Sequence, residues 1–150
     1  MSRRKTCVAS PDDDLRRQLQ LLKLPFMLEH FEELAGQAGA QQWSHVQFLA
    51  RLIEGEAALH QDRARQRRIK QARFPVLKTL QQFDFTWPTK INRLQVQNLF
   101  RLKFIEDKVN AIFIGGVGLG KTHAAIALGL AACHAGYRAR FATAIDIINN

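Results

Sequence analysis

The sequence predicts a basic, all-helical N-terminal domain followed by the start of an α/β domain whose sheet is incomplete. From Asp12 to about Glu106, apolar residues recur at helical spacing. After Asp107 the pattern changes to a short apolar run, a glycine-rich loop and an apolar helix, which is the order of a strand, a loop and a helix in α/β domains. We therefore divide the chain into a flexible basic tail (residues 1–11), a helical domain (residues 12–90) with a basic helix at residues 61–78, and the first part of an α/β domain (residues 91–150).

The composition is that of a folded, soluble protein with a basic surface. Of 150 residues, 47% are hydrophobic and 23% are charged, and the formal net charge is +9. Such a surplus attracts polyanions, although a merely well-solvated basic surface is the alternative. The apolar run from Ala124 to Cys133 is too short to span a bilayer, and Cys7 and Cys133 lack metal-ligand spacing. These features favour a cytoplasmic protein with free thiols and no membrane contact.

Two helices open the chain. The acidic residues that begin at Asp12 suit a helix N-terminus, and Pro25 ends this first helix. A second helix follows it, and Gly36 and Gly39 are expected to break that helix.

The third helix is the longest and carries most of the positive charge. Ser44 followed by Gln47 is a capping-box signature at its start, and Pro75 is expected to end it. Its apolar residues at helical spacing are Val46, Leu49, Ile53 and Ala57. Residues 61–78 contain one acidic residue against seven basic residues, Arg63, Arg65, Arg67, Arg68, Lys70, Arg73 and Lys78.

A connector and a fourth helix lead to the α/β domain. The aromatic residues of the connector are expected to pack in a core rather than to stack on bases, and they are Phe83, Phe85 and Trp87. A single amphipathic helix is predicted over residues 91–106.

The α/β segment alternates predicted strands and helices. Ala111–Ile114 is a predicted buried strand, and the helix from Thr122 to Ala135 is expected to end at a capping Gly136. Arg138–Thr143 is a second predicted strand, whose last residue is placed to cap a final helix.

A phosphate-binding loop connects the first of these strands to its helix. Residues 115–122 read Gly-Gly-Val-Gly-Leu-Gly-Lys-Thr and fit the Walker A pattern G-x-x-x-x-G-K-[ST]. Glycines let the backbone wrap closely around phosphate, the lysine reaches the β- and γ-phosphates, and the threonine hydroxyl binds Mg²⁺. The pattern predicts ATP and Mg²⁺ as ligands, with Thr122 as the metal ligand. The predicted nucleotide-binding residues are Gly115, Gly116, Val117, Gly118, Leu119, Gly120, Lys121, Thr122 and His123.

Two alternatives can be judged from the same stretch. A dinucleotide-binding fingerprint is excluded, because Lys121 occupies the position of its third glycine. Hydrolysis of ATP requires a second acidic residue at the end of a later apolar strand, and the only acidic residue after Lys121 is Asp146, which is expected at a helix start. We therefore assign no catalytic residue.

Three blocks of sequence together resemble one family. They are the block from Arg73 to Phe85 with its Phe-Pro, Lys-Thr-Leu and Phe-Asp-Phe steps, the loop from Gly115 to His123, and the stretch from Gly136 to Ala144. This combination resembles the IstB-like helper proteins of bacterial insertion sequences, which are ATPases of the AAA+ superfamily related to the helicase loader DnaC. The resemblance covers about residues 15–149, and Gly116 stands where the family often has proline.

The resemblance implies a function and partners. Family members bind and shape target DNA in an ATP-dependent assembly with a transposase, so double-stranded DNA, a transposase and further copies of the chain are the implied partners. In that light we predict that the basic helix contacts DNA through Arg63, Arg65, Arg67, Arg68, Lys70 and Arg73. The family's second acidic motif, sensor residue and arginine finger have no positions here, which implies a truncated chain. Because the superfamily sheet has the strand order 5-1-4-3-2, the two predicted strands would not pair with each other.

Three other functions remain open at this stage. The chain is a non-catalytic fragment that retains only DNA or subunit binding, or a replication ATPase similar to helicase loaders, or, less compatibly with the basic helical domain, a small P-loop kinase.

Overall fold

The computed structural model describes residues 10–86 and 92–149, and all regular secondary structure in these ranges is helical. In chain order the helices are α1 (Pro11–Leu21), α2 (Pro25–Ala40), α3 (His45–Ala72), α4 (Arg93–Leu99), α5 (Lys103–Glu106), α6 (Lys121–His134) and α7 (Ala144–Ile148), with a 3₁₀ turn at Leu80–Gln82. The chain divides into two compact units, one up to Arg63 and one from Ala64 onward. No helix in the described ranges combines the length and the apolar character that crossing a membrane requires.

The first unit is built from α1, α2 and the first part of α3. Ser10 caps α1 by accepting a hydrogen bond from the backbone N–H of Asp13 at 3.2 Å. The remainder of the predicted tail, residues 1–9, lies outside the described residues. Leu19, Phe31 and Leu52 form the buried core of this unit. The division of the chain at about residue 90 remains a prediction.

The break predicted at Gly36 and Gly39 is wrong, because α2 continues through both glycines to Ala40. Each glycine costs the helix only about 1 kcal/mol relative to alanine. Burial of Phe31 on the same helix contributes more than either penalty.

The capping box predicted at the start of α3 is confirmed. The backbone N–H of Ser44 donates to Gln47 Oε1 at 2.8 Å, and the backbone N–H of Gln47 donates to Ser44 Oγ at 3.2 Å. The helix then runs to Ala72, so Arg73 lies beyond its end with a left-handed φ of 55°. Pro75 follows within three residues, as expected of a proline that ends a helix.

The face of α3 that packs inward differs from the apolar series noted in the sequence. Leu52 is 7% exposed, whereas Val46 is 76% and Ile53 is 51% exposed. The first half of α3 is apolar on two sides, and spacing alone does not say which side meets α1 and α2.

In the second unit, α6 is the buried element. Its buried residues are Ala124, Ile126, Ala127, Leu128, Leu130, Ala132 and Cys133. Leu128 and Ala132 join Leu102 in a core cluster, onto which Phe104 and Phe113 pack.

Gly136 ends α6 as predicted. Its φ is 101°, its N–H donates to Cys133 O at 3.2 Å, and the N–H of Tyr137 donates to Ala132 O at 2.9 Å. These two bonds form the Schellman motif, in which a left-handed residue satisfies the last carbonyls of a helix.

The single helix predicted over residues 91–106 is wrong. Residues 87–91 lie outside the described part, and the remainder forms α4 and α5, separated by Leu102 with a φ of 61°. Leu102 is 8% exposed, so the turn brings its side chain into the core cluster. Burial of a leucine is worth about 1.5–3 kcal/mol, which offsets the cost of a left-handed residue.

Neither predicted strand forms within the described ranges, so the observed class is helical. A strand requires a second strand to accept and donate its backbone hydrogen bonds, and neither segment meets one there. Ala111–Ile114 nevertheless keeps an alternation of exposure: Ile112 and Ile114 are 80% and 91% exposed, and Phe113 between them packs on the core. At Phe141 the backbone N–H instead donates to Ala72 O at 2.7 Å.

Candidate functional site

The glycine-rich loop has the backbone conformation that its sequence requires. Gly118 and Gly120 have left-handed φ values of 81° and 77°. Side chains with a Cβ rarely adopt this conformation, so glycine is needed at both positions. The loop between Gly115 and Gly118 is exposed, so a ligand can reach it.

The loop leads directly into the N-terminus of α6. Gly120 is the N-cap residue, and no side chain caps the helix. The first intrahelical bond is from Ala124 N to Gly120 O at 2.9 Å. The backbone N–H groups of Lys121, Thr122 and His123 therefore have no acceptor within the helix, and together with the helix dipole they favour an anion.

Lys121 places its charge inside the loop. Its Nζ donates a hydrogen bond to the carbonyl oxygen of Gly116, five residues back and across the loop. The Lys121 ammonium is thus bound across the loop that leads into the uncapped N-terminus of α6. An anionic oxygen there would replace a neutral carbonyl acceptor by a charged one, and charge-assisted hydrogen bonds are stronger.

Thr122 is exposed at the second position of α6, where its hydroxyl is free to meet a metal ion held by a nucleotide. Within the described ranges, no group of three or more His, Cys, Asp or Glu side chains is arranged to hold a metal.

Asp146 lies in the first turn of α7, at the helix start where the sequence predicted it. Its Oδ2 accepts hydrogen bonds from the Thr143 backbone N–H at 2.8 Å and from Thr143 Oγ1 at 2.7 Å. These two bonds hold the pKa of Asp146 below its usual range, and the bond from the Thr143 hydroxyl contributes most. Thr143 Oγ1 in turn accepts from the Asp146 N–H, which completes a capping box and confirms Thr143 as the cap.

The His123 side chain contacts residues that precede the loop in the sequence. Its Nε2 lies 3.0 Å from the carbonyl oxygen of Thr79, and its ring meets the Phe83 ring edge-on at 5.3 Å between centroids. The backbone of His123 still belongs to the anion-favouring turn, so its assignment to the nucleotide site remains a prediction that rests on the main chain.

A cavity of about 620 Å³ adjoins the loop. Leu119, Gly120 and Lys121 line it on the loop side, and Phe83 and Ile112 line it elsewhere. This volume lies within the usual range of small-molecule sites, about 300–1,000 Å³.

The residues predicted to contact DNA lie on or just after the second half of α3. Arg63 belongs to the first unit, and the others belong to the second. Arg67 and Lys70 are exposed, whereas Arg65 and Arg68 are half-buried. The Nε of Arg68 donates to the carbonyl oxygen of Cys133 at 3.0 Å, so this guanidinium has a structural contact.

Two contacts at the site were not predicted from the sequence. The Phe83 ring packs so closely on Gly120 that a Cβ there would lie 2.8 Å from Phe83 Cε2, and the Thr79 carbonyl meets His123. The sequence offered only an indirect signal for the first contact. Phe83 belongs to an aromatic block whose packing partner the sequence does not name, and Gly120, 37 residues later, is a glycine against which a ring can pack closely. Phe83 packs on Gly120, the N-cap residue of α6, and on the Phe85 ring, which agrees with the packing role predicted for these two aromatic residues. Trp87 lies outside the described residues.

A glycine loop that leads into an uncapped helix N-terminus, with a lysine reaching back over it, is the arrangement of nucleotide-binding phosphate loops. The comparisons with known proteins agree with this class. The IstB-like ATP binding protein family matches residues 17–150. The chain belongs to this family.

Individual relatives come from insertion sequences of several bacteria. The chain is 39% identical over 128 residues to the protein named for ATP binding in insertion sequence IS5376 of Geobacillus stearothermophilus, covering 85% of this chain and 51% of the relative. It is 41% identical over 128 residues to the corresponding IS21 protein of Pseudomonas aeruginosa, covering 85% and 48%. A relative in an insertion sequence of Mycobacterium tuberculosis is 35% identical over 131 residues, covering 87% and 52%. The chain spans about half the length of the curated relatives it matches.

Proposed function

We propose that this chain binds ATP with Mg²⁺ at residues 115–123 and acts as a helper in DNA transposition together with a transposase. The observation that carries the nucleotide part is the hydrogen bond of the Lys121 ammonium across a glycine loop that leads into the uncapped N-terminus of α6. Membership of an ATP-binding family and relatives that belong to insertion sequences support the remainder.

Each loop residue has a distinct task in this proposal. The backbone N–H groups from Gly115 to Gly120 surround the phosphates, and the left-handed glycines aim them inward. Lys121 exchanges the Gly116 carbonyl for oxygens of the β- and γ-phosphates. Thr122 holds Mg²⁺ through its hydroxyl, and the metal neutralises phosphate charge when it is bound.

We further propose that double-stranded DNA contacts the second unit. Residues 64–150 contain fourteen basic and four acidic residues, whereas residues 10–63 contain five basic and nine acidic residues. A duplex is attracted to the first charge balance and repelled by the second. Exposed Arg67 and Lys70 lie three residues apart, so they share one side of α3 and are spaced to meet successive phosphates.

We also propose that Ala111–Ile114 pairs with other strands in a sheet. Alternating exposure along Ala111–Ile114 supports its assignment as the first strand of an AAA+-type sheet. In such a sheet Ile112 and Ile114 would be covered by further strands and helices. Self-association with other copies is proposed on the family resemblance.

A non-catalytic binding role is a second candidate. Asp146 is the only acidic residue that follows Lys121, and its carboxylate is engaged by Thr143. ATP would then act as a ligand that orders the loop without being turned over by this chain.

Calorimetric titration of ATP with Mg²⁺ tests the nucleotide site. Lys121→Ala removes the charge that faces the phosphates, so we expect no measurable binding by this variant. Lys103→Ala, which removes an exposed lysine of the same unit, serves as the matched control and should bind as the parent does. Equal ATP affinity of Lys121→Ala and the parent would reject the phosphate-loop assignment.

A further inference from the structure

Residues 73–83, which we call the strap, run along α6 in the opposite direction to the helix. The Phe74 ring, near the start of the strap, packs on Gly129, where a Cβ would lie 2.9 Å from Phe74 Cε1. Further on, the Thr79 carbonyl oxygen meets His123 Nε2 at 3.0 Å. The strap ends with Phe83 against Gly120, at the N-terminus of α6. The same helix is thus contacted by one phenylalanine in its second half and by another at the phosphate loop.

The contact at Phe83 restrains the last glycine of the loop. Gly120 requires glycine for two independent reasons, a φ of 77° and the absence of room for a Cβ beside Phe83. The Phe83 ring is itself held by the edge of His123, 5.3 Å away, and by the Phe85 ring, 4.9 Å away between centroids. The peptide unit of Gly120 is therefore packed against a fixed aromatic surface.

We infer that Phe83 is a positioning residue for the phosphate loop. Without the ring, Gly120 regains the wide conformational range of glycine, and the orientation of the N–H groups that follow it in Lys121 and Thr122 is no longer fixed. Binding would then have to order the last turn of the loop, a cost that the packed ring removes in advance. This inference rests on the proposed binding of nucleotide at the same loop.

Two other roles for Phe83 predict different effects on ligand binding. Phe83 also lines the 620 Å³ cavity, so it has access to a nucleobase bound there. It also stabilises the second unit through its packing, as Phe74 does. If Phe83 positions the loop, its loss weakens the affinity of every ligand that uses the phosphate site. If Phe83 contacts a base, its loss weakens only ligands that have a base. If Phe83 is a general packing residue, the loss of Phe74 has the same effect.

The experiment compares two ligands and three variants of the whole chain by calorimetry in the presence of Mg²⁺. The ligands are ATP and inorganic tripolyphosphate, which lacks both base and sugar. We expect Phe83→Ala to weaken both ligands by the same factor, about ten-fold for the loss of a preorganising contact. Phe74→Ala removes an equal ring from the same strap and should leave both affinities within about two-fold of the parent. Phe83→Leu keeps apolar bulk against Gly120 and should recover most of the loss.

Four results would overturn the inference. An equal loss of affinity in Phe74→Ala would make Phe83 a general packing residue, and loss of ATP with unchanged tripolyphosphate affinity would make it a base contact. If Phe83→Ala fails to fold, Phe83→Leu is compared directly with Phe74→Ala, and a folded Phe83→Leu variant that binds tripolyphosphate about ten-fold more weakly than Phe74→Ala decides against positioning by apolar bulk. If the parent chain binds neither ligand, the proposed nucleotide site is rejected and this inference with it.

Discussion

Arg68 and Cys133 are joined by a hydrogen bond from the guanidinium Nε to the backbone carbonyl oxygen, at 3.0 Å in a part-buried position. Cys133 lies one residue before the end of α6 and is completely buried. The cation therefore lies at the negative end of the helix dipole, as a second donor to a carbonyl oxygen that also accepts from the Gly136 N–H. Through this contact the basic part of α3 is attached to the helix that begins at the phosphate loop.

The Arg68 contact predicts a loss of stability on truncation. Arg68→Ala should lower the free energy of unfolding by about 1.5–3 kcal/mol, the usual range for a hydrogen bond that involves a charged group. Arg67→Ala removes the same charge from the neighbouring, exposed position and should change the free energy by less than about 0.5 kcal/mol. Urea unfolding followed by circular dichroism measures both variants. Equal values for the two would show that the bond to Cys133 contributes nothing.

Hydrolysis of ATP by this chain alone should not exceed the rate in buffer. The chain offers no acidic residue to complete a metal site after Lys121 other than Asp146, whose carboxylate caps α7. Release of inorganic phosphate from ATP in the presence of Mg²⁺ is the measurement. Turnover that depends on Mg²⁺ and disappears in Thr122→Ala would contradict this expectation.

Binding of random-sequence duplex DNA should weaken steeply with salt. Replacing Arg67 and Lys70 by alanine should reduce the slope of log affinity against log salt concentration by about 2, since each neutralised phosphate contributes about 0.9. Adding Arg63→Ala should bring the reduction to about 3 if that residue also meets phosphate. The double variant Arg101→Ala and Lys103→Ala removes two exposed charges elsewhere in the second unit and is the matched control. An unchanged slope in the Arg67 and Lys70 variant would exclude this side of α3 as the DNA contact.

Glu56 should be a main support of the first unit. It is 4% exposed, and its Oε2 accepts a hydrogen bond at 3.0 Å from the backbone N–H of Met27 in the first turn of α2. The N-cap residue of α2 makes no side-chain capping bond, so Glu56 takes that role from α3. Its Oε1 lies 3.3 Å from His60 Nε2, at ion-pair distance without hydrogen-bond geometry. Glu56→Ala leaves that N–H unpaired and should lower the free energy of unfolding by about 1–3 kcal/mol.

The exposed Glu54, on the same helix, provides the control for Glu56. Glu54→Ala should change the free energy of unfolding by less than about 0.5 kcal/mol in the same urea experiment. A Glu56→Ala variant as stable as Glu54→Ala would show that α2 does not depend on the remote carboxylate.

Features that depend on neighbours three to five residues apart were predictable from the sequence. The capping box at Ser44, the N-cap at Thr143, the left-handed cap at Gly136 and the glycine loop that leads into α6 all appear where the sequence indicated. Each rests on a short-range contact between a side chain and the backbone, or on the special freedom of glycine. Such contacts are available to the segment whatever the remainder of the chain does.

Tertiary structure decided the remaining features. The sequence did not indicate that Leu102 would interrupt the helix after residue 91, that α3 would bury Leu52 rather than Ile53, or that Arg68 and Phe83 would contact the two ends of α6. The first two outcomes are choices between local conformations that differ by about 1–2 kcal/mol, which burial of one large apolar side chain offsets. The contacts of Arg68 and Phe83 are made with residues distant in the sequence. The predicted strands show the same dependence, because a strand obtains its hydrogen bonds from a partner that lies elsewhere in the fold.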